Sequence, residues 1–443
     1  MIEKSHIGVV LIGHVDHGKS TLAGRLLFDS DQIDPHIIER YKKKAASMGK
    51  KTFEFAWVMD TLPEERERGL TIKTQIRDLY TDKYFLSIID APGHEDFIKN
   101  MVLGARQADA AVLVVSANEG VQVQTREHAY IAQSLGIDQM IVVINKMDIT
   151  TPPYSQARYE EVVKDVNKLM RTAEFTEYAF VPASAYVGDN VVFPSETLAW
   201  YEGDTVFKIL DTFEIPKRPT DLPLRWPIQD KFKVRGIGYI PVGKVEAGVI
   251  RPDDMIVFMP SNKRAQVKTI EMYKKRIERG IPGDNIGVDI RAIDGWSLKD
   301  EVKRGEVAGH IDSPPTVAKR FTARITIFSA DEIYCKEGKE GEKRYYPPKI
   351  QVGFSPSIHC HTAKVTCRVV KLLAKINGSS GDVLEKNPKC IRDGDSAVVV
   401  FEPEKPFVIE KASDFPKLGR FAIRDSNRTI GAGMCLDAEK VEF

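Results

Sequence analysis

The chain has 443 residues, too many for a single compact core, so two to four domains are expected. With 42% hydrophobic and 29% charged residues and no biased low-complexity run, its composition excludes a fibrous or wholly disordered protein. Basic and acidic side chains nearly cancel to a formal charge of +1, so a nucleic-acid partner has to be held by local basic patches rather than by bulk charge.

The first strand-like run, Ile7 to Ile12, begins too close to Met1 for a leader to precede it, and no apolar stretch reaches bilayer length. A cytoplasmic protein without a membrane partner is expected. Through about residue 215, short Val- and Ile-rich runs (Ile7–Ile12, Phe85–Ile89, Ala111–Val115, Met140–Ile144) alternate with helix-like stretches. That alternation predicts an α/β domain over 1–215, a mostly parallel sheet with helices on both faces. Between the first two runs, Asp34 offers an N-cap and Pro35 a first helical residue. Ile37, Ile38, Tyr41, Ala45 and Met48 then recur at helical spacing before Gly49. The other face of that helix carries Arg40, Lys42, Lys43 and Lys44 and reads as solvated.

Ile215 to Pro223 contains three prolines and marks a linker, because proline continues neither a helix nor a central strand. Beyond it the pattern is all-β, with runs at Tyr239–Val245, Met255–Met259 and Ala397–Phe401. Two small β-barrels fit, over 222–314 and 316–443, with Pro314-Pro315 as the seam. The five cysteines (Cys335, Cys360, Cys367, Cys390, Cys435) lack paired metal-ligand spacing and read as buried reduced thiols.

Gly13-His14-Val15-Asp16-His17-Gly18-Lys19-Ser20 fits GxxxxGK[ST], directly after an apolar strand and before a helical pattern opened by Thr21. Such a loop turns backbone N–H groups toward phosphates, its lysine neutralises phosphate charge, and its serine hydroxyl suits Mg²⁺. Asp90-Ala91-Pro92-Gly93 ends the second strand. Asp90 is placed to hold Mg²⁺, through water, and Gly93 to bring its N–H close to a γ-phosphate. Asn145-Lys146-Met147-Asp148 follows another strand, and the Asp148 carboxylate can accept from N1–H and the 2-amino group of guanine, donors that adenine lacks. Ser184-Ala185 is the expected backbone contact to guanine O6. Three loops in this order at strand C-termini indicate a GTP/GDP site with Mg²⁺.

These residues resemble the translational GTPases, and within them the elongation factor 1-alpha/elongation factor Tu family. The likeness spans nearly the whole chain. It is carried by the phosphate loop, Glu64 to Ile72, Asp90 to His94 with Asn100, Gln124 to His128, Gly280 to Gly287, His361 to Ala363 and Gly419 to Arg424. The resemblance implies that Thr71 completes Mg²⁺ coordination, with Ser20 and Asp90, while γ-phosphate is present. It implies that His94 acts on the attacking water, a task an imidazole suits near neutral pH. Val15 and Leu70 are implied as an apolar gate in front of His94, and Asp16 as a further phosphate-side contact.

The partners implied are aminoacyl-tRNA, the ribosome and a guanine-nucleotide exchange factor. Asn285 is implied at the aminoacyl end and Lys364, Arg424 and Arg428 at the T-stem. The basic stretch from Lys263 and Arg264 to Arg276 and Arg279 agrees with phosphate contact. The sequence departs from the family pattern at Leu70, where isoleucine is more usual, in a short link from Ser116 to Gln124, and in a charged excursion from Asp331 to Lys349. The leading expectation is delivery of aminoacyl-tRNA to the ribosomal A site with release after hydrolysis. Two others stay open: a termination or rescue GTPase carrying a tRNA-mimicking protein, and a regulatory GTPase of sulfate activation.

Overall fold

The structure, a computed structural model, describes residues 4–50, 52–105, 107–173, 175–215, 218–236, 238–272, 275–293, 295–328, 349–378, 381–425 and 428–441. The charged excursion, apart from Lys349, and Cys335 lie outside these residues. The chain divides into two compact units, one of Met1–Gln133 with Ile137–Pro216 and a second of Ser134–Gly136 with Lys217–Phe443.

The first unit is built on a six-stranded sheet. Its strands are β1 (Ser5–Ile12), β2 (Gln75–Tyr80), β3 (Tyr84–Asp90), β4 (Ala110–Ser116), β5 (Gln139–Asn145) and β6 (Glu177–Pro182), in the order β2-β3-β1-β4-β5-β6. All pairings are parallel except β2 with β3. Every residue of β4 is buried, which requires cover on both faces of the sheet. The β2 strand is absent from the sequence reading because, at the sheet edge, only Leu79 of its six residues is buried and no apolar run results.

Register places the functional loops. Leu11 lies opposite Asp90 and Ser116 opposite Asn145, so the loops after β1, β3 and β5 all leave from one rim of the sheet. Helix α1 (Lys19–Asp29) leads away from that rim and buries Leu22, Ala23, Leu26 and Leu27 against the sheet core. Helix α2 (Pro35–Ser47) starts where its cap predicts, with Asp34 Oδ1 accepting from the His36 N–H at 2.9 Å. It buries Ile38 and Ala45 and leaves Arg40, Lys42, Lys43 and Lys44 exposed. Short helices α3 (Ala56–Met59) and α4 (Pro63–Arg68) follow, then α5 (Ile98–Ala105), α6 (Val123–Ser134) and α7 (Gln156–Thr172).

The second unit holds two antiparallel sheets. The first runs from β7 (Trp226–Pro227) through β8 (Asp230–Val234), β9 (Gly238–Lys244), β10 (Met255–Met259), β11 (Lys263–Met272), β12 (Lys275–Ile277) and β13 (Asn285–Ala292) to β14 (Val307–His310). Trp226 Nε1 donates to the Gly243 carbonyl at 3.0 Å, tying β7 to β9. The second sheet spans β15 (Val317–Ile327), β16 (Ser357–Cys360), β17 (Ala363–Ile376), β18 (Val383–Lys386), β19 (Ser396–Pro403), β20 (Phe407–Val408), β21 (Arg420–Asp425) and β22 (Arg428–Lys440). The order β16-β21-β22-β15-β19-β17, with β17 paired back to β16, closes it into a barrel.

Each sheet wraps its own apolar core. A further cluster joins Ala247, Val257, Met259 and Val307 of the first to Val317, Val408, Phe415 and Leu418 of the second. Beside that seam, Arg225 Nε meets Glu410 Oε1 at 2.6 Å with both side chains under a tenth exposed. Cys360, Cys367 and Cys435 are buried thiols in no disulfide, and burial pushes the Cys435 thiol up to about 12. Cys390 departs from expectation in being only half-buried.

Candidate nucleotide site

The rim loops enclose a cavity of about 370 Å³ in the first unit. Thirteen of the residues singled out from the sequence line it: Val15, Asp16, Gly18, Lys19, Ser20, Thr21, Leu70, Thr71, Gly93, His94, Asn145, Lys146 and Asp148. Gly13, His14, His17, Asp90, Ser184 and Ala185 stand behind that lining.

At the phosphate end, Lys19 is buried and donates from Nζ to the carbonyls of Gly13, at 3.0 Å, and His14. Burial lowers its pKa to about 8, so it remains a cation at neutral pH. Gly93 stands against it, and a Cβ there would lie 2.5 Å from Lys19 Nζ, so only glycine lets the two loops approach this closely.

The loop is braced from behind by neutral imidazoles. His128 Nδ1 accepts from the Gly13 N–H at 3.1 Å, and complete burial keeps its pKa well below the ordinary value. His17 lies 3.7 Å from Glu119, but burial first, then Lys19 and His14, holds its pKa down to about 3, so the contact is no ion pair. His14 is likewise lowered, chiefly by burial.

Next to Lys19, the Ser20 and Thr71 hydroxyls are 3.0 Å apart, and Thr71 Oγ1 donates to Asp60 Oδ1 at 3.0 Å. Asp90 is fully buried, and neither carboxylate oxygen has a partner of ordinary hydrogen-bond geometry, although the Ser20 hydroxyl stands near enough to offset part of the effect of burial on its pKa. Burial raises Asp90 to about 6, and burial together with the Asp90 charge raises Asp60 to about 7. Two crowded carboxylates, that of Asp90 under-satisfied, beside two hydroxyls fit a hard divalent cation, whose charge would reverse both shifts.

Asp60 is a member of this group that the sequence reading missed, since it belongs to no motif. Glu65 lies within the Glu64 to Ile72 stretch but was given no role there: its carboxylate accepts from the N–H groups of Leu62, Ile72 and Lys73, fixing the backbone around Thr71. On the far side, Asn100 Nδ2 donates to the Ile72 carbonyl at 2.7 Å, and Thr74 Oγ1 donates to the Asn100 carbonyl at 2.8 Å.

His94 lies at the cavity wall with Val15 and Leu70, its side chain 37% exposed and Nδ1 accepting from the Asp96 N–H at 3.2 Å. At the opposite end, Asn145 Nδ2 donates to the His17 carbonyl and Asn145 Oδ1 accepts from the Ala185 N–H, both at 2.8 Å. The donor expected to meet guanine O6 is therefore already engaged. Ser184 Oγ donates to Asp148 Oδ1 at 2.6 Å and orients that carboxylate, while Lys146, Ile149 and Tyr186 complete the wall.

Residues 4–216 match the family of the elongation factor Tu GTP binding domain, 238–309 elongation factor Tu domain 2, and 345–436 the GTP-eEF1A C-terminal domain-like family. Elongation factor 1-alpha of Thermoplasma acidophilum is 49% identical over 440 residues, 99% of each chain. The chain belongs to the elongation factor 1-alpha family. That of Archaeoglobus fulgidus is also 49% identical, over 98% of each chain. The Saccharomyces cerevisiae Ski7 GTPase-like domain, solved bound to GTP, shares the fold at a TM-score of 0.74 and 17% identity, covering 98% of this chain and 97% of that one.

As a member of the elongation factor 1-alpha family, the chain is a guanine-nucleotide-binding translation elongation factor and a GTPase, an α/β GTPase domain followed by two β-barrel domains. This resolves the open alternatives of protein-cargo release and sulfate activation in favour of elongation. Among the described residues no helix is long and apolar enough to cross a membrane.

Of the residues implied for tRNA, Asn285 and Lys364 are exposed and Arg428 is half-buried. Arg424 is 4% exposed and follows a register shift in the β21–β22 pairing. Its guanidinium is not presented to solvent.

Proposed function

We propose that this elongation factor holds Mg²⁺·GTP in the rim cavity, binds aminoacyl-tRNA in that state, delivers it to the ribosomal A site in the cytoplasm, and releases it after ribosome-stimulated hydrolysis. An exchange factor then replaces GDP. The observation that carries the reading is the buried, under-satisfied Asp90 carboxylate, set beside Ser20, Thr71 and the Lys19 ammonium at one end of a cavity whose other end is the Ser184-oriented Asp148.

In this reading Gly13 to Thr21 surround the phosphates, and Lys19 neutralises them. Ser20, Thr71 and Asp90 hold the metal, which when bound supplies charge neutralisation to the phosphates. Asp60 accepts from Thr71 and so keeps its hydroxyl oriented. Gly93 brings its N–H to the γ-phosphate. Asp148 selects guanine, Lys146 flanks the ring, and the Ala185 N–H is shared between Asn145 and the base. His94, approached past Val15 and Leu70, positions the attacking water or takes its proton. Asn285, Lys364 and Arg428, with the exposed Arg264, Lys275, Arg276 and Arg279, supply positive or polar contacts to RNA.

The test is protection of the aminoacyl ester. GTP-loaded protein should slow spontaneous hydrolysis of aminoacyl-tRNA severalfold and GDP-loaded protein should not. Equal hydrolysis with both forms would refute the proposal.

A further inference from the structure

We infer that Arg25 is the positioning residue that holds the guanine-recognition loop closed. The inference rests on the assignment of Asp148 and Ser184-Ala185 to guanine. Arg25 lies on α1, downstream of Lys19 and Ser20, and its side chain is only 18% exposed. The guanidinium does three things at once. Nε donates to Asp29 Oδ2 at 2.8 Å, one helical turn along; Nη2 donates to the Val187 carbonyl at 2.7 Å; and Cζ sits 4.6 Å from the centre of the Phe55 ring. Asp29 and Phe55 therefore fix the plane of the fork, and the remaining arm reaches the loop after β6.

That loop is the one that aims Asp148. The Gly188 N–H donates to the Ser184 carbonyl at 2.8 Å, the Val187 N–H donates to Ser184 Oγ at 3.3 Å, and Ser184 Oγ donates to Asp148 Oδ1. A pull on the Val187 carbonyl is thus transmitted in two hydrogen bonds to the carboxylate that reads the base. The loop also makes room for its anchor: Gly188 has φ +103°, and a Cβ there would lie 2.1 Å from Arg25 Nη2. No lysine can replace the arrangement, because one ammonium on a flexible stem cannot lie flat on Phe55, pair with Asp29 and bond the carbonyl together. Arg25 joins the helix that starts at the phosphates to the loop that contacts the base, and does so without touching the nucleotide.

The test measures release of fluorescent GDP and GTP analogues from the full chain, together with its melting temperature. Arg25→Lys and Arg25→Ala should speed release of both nucleotides about tenfold or more, the loss of one charge-assisted hydrogen bond acting on dissociation. Arg25→Lys should do so with an unchanged melting temperature, which a merely structural residue would not. Asp29→Asn, which weakens the partner that orients the guanidinium, should speed release in the wild-type background and much less in the Arg25→Ala background. Release from Arg25→Ala within twofold of wild type, or additive effects of Arg25→Ala and Asp29→Asn, would overturn the inference. Wild-type protein is measured first, so a failure to bind guanine nucleotide at all is recognised as failure of the site assignment and not of the role given to Arg25.

Discussion

Glu410→Ala tests how the two barrels are held together. Glu410 Oε1 accepts from Arg225 Nε at 2.6 Å and from the Thr316 N–H at 3.1 Å, and Arg225 also donates to the carbonyls of Leu224 and Ser313. Removing the carboxylate leaves a buried guanidinium without its counter-charge and a backbone N–H without an acceptor. Breaking a buried pair from one side costs about 3–5 kcal/mol, which for a unit of this size lowers the melting temperature by roughly 6–20 °C. The assay is calorimetry on the full chain, following the transition of the second unit. Arg225→Met combined with Glu410→Leu should recover most of the loss, because the penalty lies in the stranded charge and not in the missing attraction. A Glu410→Ala protein melting within about 2 °C of wild type would show that the pair is not desolvated as its burial indicates.

Glu306 is buried beside Ser261, and burial raises its pKa from 4.5 to about 7. The folded state therefore binds more protons at this carboxyl than the unfolded one between those values, so the contribution of Glu306 to stability is greatest below about pH 4.5, falls through the window and levels off above pH 7. Glu306→Gln should stabilise by up to about 3 kcal/mol at pH 8 and leave stability unchanged at pH 4, as read by denaturant titration at both. Asp148→Asn should weaken the preference for GTP over ATP by about tenfold or more in competition binding, and undiminished preference would remove that residue from the base site. His94→Ala should slow single-turnover hydrolysis on the ribosome by roughly a hundredfold or more while nucleotide affinity stays at the wild-type value.

The loops that line the cavity were legible because each is a contiguous motif following an apolar strand, and strand, loop and helix signals there agree. What stayed hidden depends on distance along the chain. Asp60 joins the group only because Thr71 folds back on it, Asn100 reaches residues 72 and 74, and the Arg25 anchor meets a carbonyl at residue 187. No local pattern encodes such pairings. Edge strand β2 was missed for a different reason: Leu79 is its one buried residue, and Ile76 and Tyr80 on the opposite face are exposed, so no run of core residues marks it. The burial of Arg424 was not legible either, because the resemblance that singled it out carries no information on exposure.

The two hydrogen bonds at Asn100 fasten the segment bearing Thr71 to the helix that follows His94. Drawing either segment away from the other breaks both bonds, so a displacement of the Thr71 segment is coupled to one of the helix after His94 by about 1–3 kcal/mol.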